Sequence, residues 1–168
     1  MSIFRIGPWI GAIVSVGIGG LAGSSASPQS QVRDPAMVVY PEGFRGWTHV
    51  KSAIVWPDTP STSTFSGLHN IYANESAMAG YRTGIFPDEA MIVFDLFDLE
   101  EVDGGLQPGR RKSVDVMVRD ASVHGGWRFE RFYGGNPTER ADARLRSQCL
   151  ACHLREPQGD GVFSAFVG

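Results

Sequence analysis

Residues 149–153 read Cys-Leu-Ala-Cys-His, and nothing else in the 168-residue chain restricts its chemistry as tightly. Both cysteines of the chain lie in this stretch. Two thiols three residues apart can form thioethers to the two vinyl groups of one haem, and the adjacent histidine then supplies an axial imidazole to the iron. With two cysteines and four histidines in the chain, the expected number of chance occurrences is roughly six in ten thousand. The rival readings fit less well. A disulfide framework needs cysteines spread across a fold, and a zinc site needs two more ligands close by. A thioredoxin-like pair opens a helix after an N-terminal strand rather than following most of the chain. An exposed disulfide is the residual alternative. The motif therefore predicts haem c, covalently held through Cys149 and Cys152, with His153 as the iron ligand.

The preceding stretch, "NPTERADARLRSQC", predicts a helix with a candidate cap at Thr138 and acidic Glu139 and Asp142 in its first turns. Spacing i and i+3 puts the two thiols on one side of that helix. The residues from Leu154 to Gly168 contain no methionine or histidine, so a sixth ligand is expected from upstream, if there is one. The candidates are His49, His69, His124, Met37, Met78, Met91 and Met117. Each has a plainer use, as core packing for Met78, Met91 and Met117 or as a turn residue for His124 before Gly125-Gly126.

At the other end, Arg5 precedes an apolar run from Ile6 to about Ala22, followed by small residues up to Ala26. That pattern predicts an export signal over residues 1–26, a flexible segment over 27–36 and one domain over 37–168. A retained membrane anchor is the alternative. Export predicts a periplasmic protein. A formal net charge of -3 and two lysines, Lys51 and Lys112, leave no basic patch for nucleic acid.

The body reads as strands. "WTHVKSAIVW" (47–56) has a β-branched centre, and "LHNIYAN" (68–74) is a short strand before a helix near 75–83. "AMIVFDLFDLE" (90–100) places Ile92, Phe94 and Leu96 on one face. "SVDVMVRDAS" (113–122) sets Val114, Val116 and Val118 against Asp115 and Arg119. "WRFERFYGG" (127–135) sets Trp127, Phe129, Arg131 and Tyr133 against Phe132. Between the third and fourth, "DGGLQPGRRK" (103–112) reads as a glycine-rich hairpin connection or a longer loop. The expected class is α+β: a mainly antiparallel sheet with short helices, the C-terminal one carrying the haem motif. An all-helical cytochrome is excluded on the same evidence.

The segments "PEGFRGWTHV", "FSGLHNIYAN", "FPDEAMIVFDLF", "WRFERFY", "CLACH" and "VFSAF", in this order from about Pro41 to Phe166, make the chain similar to the cytochrome P-460 and cytochrome c′-beta family. The resemblance implies an exported homodimer with five-coordinate haem and a distal face open to small ligands. In the hydroxylamine-oxidising branch a lysine on the strand after an F-x-D turn is cross-linked to the haem. Here the turn is Phe86-Pro87-Asp88 and the matching position is Phe94. The c′-beta branch caps the distal face with two phenylalanines, and Phe65 and Phe94 fall at those places. Such a cap suits neutral diatomics such as NO and CO. Sheet core is the plainer use of Phe94. Where hydroxylamine oxidisers carry a distal arginine this chain has His69, which could be a proton donor, a pH-dependent sixth ligand or an outward strand residue. Arg131 and Arg128 could meet haem propionates, though a solvated strand face is expected for both, as it is for Asp95 and Asp98. Three functions stay open: gas binding, hydroxylamine oxidation and electron transfer to an unidentified redox partner.

Overall fold

The computed structural model describes residues 37–58, 64–156 and 160–167. The expected signal and the segment over 27–36 lie outside the described residues. Among those described, five strands form one antiparallel sheet in chain order: β1 (Thr48–Val55), β2 (Gly67–Ala73), β3 (Met91–Val102), β4 (Gly105–Arg119) and β5 (Trp127–Tyr133). Helix α1 (Glu75–Thr83) joins β2 to β3, and α2 (Ala143–His153) follows β5. This is the expected α+β class. No helix among the described residues is long and apolar enough to cross a membrane.

Both faces of the sheet are covered. On one, Ile71, Ala73, Ile92, Met117 and Trp127 are buried together with Ala77 and Met78 of α1, Phe86 and Val162, with Phe94 and Phe129 packed against them. On the other, Val93, Val114, Val116 and Phe132 meet Val38 and Phe44, with Tyr40 and Trp47 alongside. Strand alternation therefore sorts residues between two interiors rather than between core and solvent.

Helix α1 is fastened by Asn74. Its side-chain oxygen accepts from the Ala77 amide (2.8 Å) and from the Met91 amide (3.0 Å), so one residue caps the helix and pins it to β3. Gly80 lies against the Phe86 ring, where a Cβ would come within 2.2 Å of it. Gly84 closes the helix with φ 79°, the left-handed cap that suits glycine.

Four expectations need correction. Of the two readings of residues 103–112 the hairpin connection holds, but most of the stretch is strand: Val102 pairs with Gly105 across an Asp103-Gly104 turn with φ of 52° and 76°, the two-residue connection matching strand twist. The cap of α2 is Asp142, whose side chain accepts from the Leu145 amide at 2.8 Å. Thr138 instead closes a turn on Asn136, and the following residues pair with β5 through Ala141 N and Arg131 O. Asp95 is fully buried, ion-paired to Arg45 and Arg111 at 2.7 Å each, because the stretch from Val38 to Trp47 covers its face. Asp98 does reach solvent. Finally, Arg131 is 6 % exposed and is not on a solvated face, whereas Arg128 is half-buried and bonded to Asp120 at 2.6 Å. Ser122 and Arg128 hold the Asp120 carboxyl down at about 2.

Candidate functional site

Helix α2 delivers the motif. Cys149 is half-buried and Cys152 exposed, and both are free thiols. Cys149 and His153 are four residues apart and share a helix face. Burial pushes the Cys149 thiol up from its ordinary value, the Asp115 charge adds to this, and Arg131 opposes it.

The His153 ring is fixed on several sides. Its Nδ1 lies 2.6 Å from the carbonyl oxygen of Gly161. A carbonyl can only accept, so Nδ1 carries the proton and, in the neutral ring, Nε2 carries the lone pair. Burial pulls the His153 pKa below its usual value, which favours that neutral form. The ring centroid is 4.7 Å from Phe129 of β5 and 4.9 Å from Phe163. Trp127 braces the segment supplying the carbonyl, because its Nε1 donates to Asp160 O at 2.7 Å. A second group that holds a ligating imidazole by its other nitrogen is the arrangement metal sites use.

The remaining predicted residues converge on the same sheet face. Phe94 faces Asp115 in the β3–β4 register, and Asp115 faces Arg131 in the β4–β5 register. Arg131 Nε donates to Asp115 Oδ1 at 2.7 Å, and Nη2 donates to Oδ2. The Phe65 ring lies under the Arg131 guanidinium, 5.0 Å from centroid to Cζ. His69 sits edge-on to Phe94 at 6.3 Å, and its Nε2 donates to the Phe65 carbonyl. Burial lowers the His69 pKa; the Phe65 hydrogen bond and the Asp115 charge oppose the shift. Lys112 Nζ donates to Ser66 O at 2.8 Å, beside the same segment. Phe65, His69 and Phe94 thus come together, and Asp115 and Arg131 complete the group. Sequence reading singled out neither of these as a pair, although both lie on strands whose alternation it followed.

The other candidate ligands lie elsewhere. Met78 and Met117 are buried in the core, and Met91 packs on the opposite face. Met37 is exposed. His49 is bonded to Ser52 at 3.0 Å on an exposed stretch of β1, and His124 is in a turn.

The donor set fits a haem. Two cysteines and an imidazole with Nε2 as its lone-pair nitrogen occupy one helix, and the imidazole packs on Phe129 of the sheet. Among its described residues α2 buries none, although it is longer than α1. Leu145, Cys149, Leu150 and His153 are half-buried, so protein covers this helix only in part. An α+β sheet that presents such a helix defines a haem protein outside the all-helical cytochromes. The model of the cytochrome P460 family matches residues 41–164, about three quarters of the chain, and the chain belongs to that family. Haem is accordingly its cofactor. Among curated proteins none is similar enough to count as a match.

Proposed function

We propose that this is an exported, periplasmic c-type monohaem protein that reversibly binds NO or a similar small gas at one open face of the iron. The single observation that carries this reading is the pairing of a preset proximal histidine with a phenylalanine wall. His153 offers Nε2 because Gly161 holds Nδ1, and Phe65 and Phe94 flank one patch of the facing sheet. Cys149 and Cys152 would hold the haem by thioethers, and His153, with its proton fixed on Nδ1, would bind the iron through Nε2. Bound haem would supply an iron able to take a small ligand. The protein's own part is to exclude bulky ligands with Phe65 and Phe94, and to keep methionine away by packing Met78 and Met117 in the core.

Hydroxylamine oxidation is the rival reading. It is disfavoured because the two lysines are not on β3: Lys51 is on β1, and Lys112 on β4 is bonded to Ser66. A homodimer, implied by the family resemblance, has a surface available in the β3–β4 ribbon, where Val102 and Leu106 are exposed. Absorption spectra of the reduced holoprotein, with and without NO and CO, test the reading. An ordinary c-type spectrum, five-coordinate and shifted by either gas, is the expected result. A low-spin six-coordinate ferrous spectrum without added ligand would overturn it, and a strongly red-shifted band would favour the cross-linked, oxidising type.

A further inference from the structure

Arg131 has an edge with no assigned use. It is 6 % exposed, on β5 two residues beyond Phe129, whose ring touches His153. Asp115 takes its Nε and Nη2, and Phe65 covers one flat side. Among the described residues Nη1 has no hydrogen-bond partner, and it is not one of the atoms sealed from solvent. One row along the same sheet face, the Ser113 hydroxyl is buried and also lacks a partner among the described residues. A guanidinium locked on two sides has lost its rotamer freedom before any ligand arrives, so the remaining N–H groups form a preset donor edge. Asp115 offsets its charge, so the pair offers directed hydrogen bonds rather than a bare cation.

We propose that Arg131 is the donor that admits small anions, such as azide or nitrite, to the ferric haem on the face walled by Phe65 and Phe94. This rests on the gas-binding reading for the position of the haem, but it adds a class of ligand that a purely phenylalanine-lined pocket would disfavour. An anion on ferric iron places negative charge on its outer atoms, and a charge-assisted hydrogen bond there discriminates it from neutral CO. The same acceptor chemistry could come from a haem propionate, so the experiment separates the two sources.

The test titrates the ferric holoprotein with azide and with nitrite, and the ferrous holoprotein with CO. Arg131→Met should weaken anion binding at least about tenfold and leave CO affinity within about twofold. Asp115→Asn keeps the shape but stops offsetting the guanidinium, so it should strengthen anion binding several-fold, whereas a merely structural role predicts loss. This second variant decides the matter if Arg131→Met does not fold. Anion affinities unchanged in Asp115→Asn and in any folded Arg131 variant overturn the proposal. A shifted midpoint potential with unchanged anion affinity assigns Arg131 to a propionate and overturns it too. Wild-type protein that binds azide but not CO sinks the gas-binding reading and spares this one; binding of CO without azide does the reverse.

Discussion

The two helices are capped alike and packed differently. Asn74 and Asp142 each accept from the amide three residues on, at 2.8 Å. Yet the nine residues of α1 bury Ala77, Met78 and Gly80, whereas the eleven of α2 bury none among those described. Local signals thus start both helices, but different partners hold them. Side chains of the sheet hold α1. A cofactor is the natural partner of α2, whose cysteines and histidine offer bond-forming and ligating groups. Stability of the sheet and competence of the site are therefore separable properties of this chain.

The sharpest way to break that contrast is to remove the attachment chemistry. His153→Ala should abolish axial ligation, and Cys149→Ala with Cys152→Ala should abolish covalent haem altogether, read by haem staining after denaturing electrophoresis. The sheet should survive both, with its far-ultraviolet dichroism largely kept. Loss of all folded structure would show that α2 is as integral as α1.

A smaller effect comes from matched truncations. Met78→Ala should cost about 2–5 kcal/mol in urea unfolding because a buried side chain leaves a cavity. Leu150→Ala in α2 should cost less than about 1 kcal/mol in the haem-free chain, since Leu150 is half-buried. Equal costs would erase the distinction between the helices.

Cap removal should give similar values at both ends. Asn74→Ala and Asp142→Ala should each lose about 1 kcal/mol, and Asn74→Ala the more, because Asn74 also accepts from Met91 N. The least effect is a pH slope. Burial depresses the His69 pKa, so the unfolded chain binds a proton that the folded chain resists. Stability should fall as pH drops below the ordinary histidine value and level off below the folded one. His69→Gln should flatten that slope in unfolding curves taken from pH 7 downward.

Much of the fold was legible in the sequence because its signals are local. Period-two patterns located the strands, "NESAMAGYRTG" located α1, and Cys-x-x-Cys-His located the chemistry. What was not legible depends on which element covers which face. Asp95 reads as a solvent-facing residue until Arg45, fifty residues upstream, lies over it. Glu130 drew no reading from the sequence, and it is 3 % exposed and paired with Arg140 at 3.1 Å. Arg131 and Asp115 read as two charges on different strands, and register alone makes them a pair. The hairpin at Asp103-Gly104 was among the readings of this stretch, but the glycines and proline around it hid how far the paired strands run into residues 105–112.

The order of the sheet has a consequence for how the protein is made. Each strand pairs with its neighbour in sequence, so every ladder closes over a short span of chain, a topology that favours rapid assembly. The aromatic surface around Phe94 and Phe129 is built on β3 and β5, with His153 of α2 packed on Phe129. The thiols of Cys149 and Cys152 come last in the chain order of these elements, on a helix that buries no residue of its own among those described. Under the proposed thioether attachment, every strand of the sheet precedes in the chain the two residues that would take the haem.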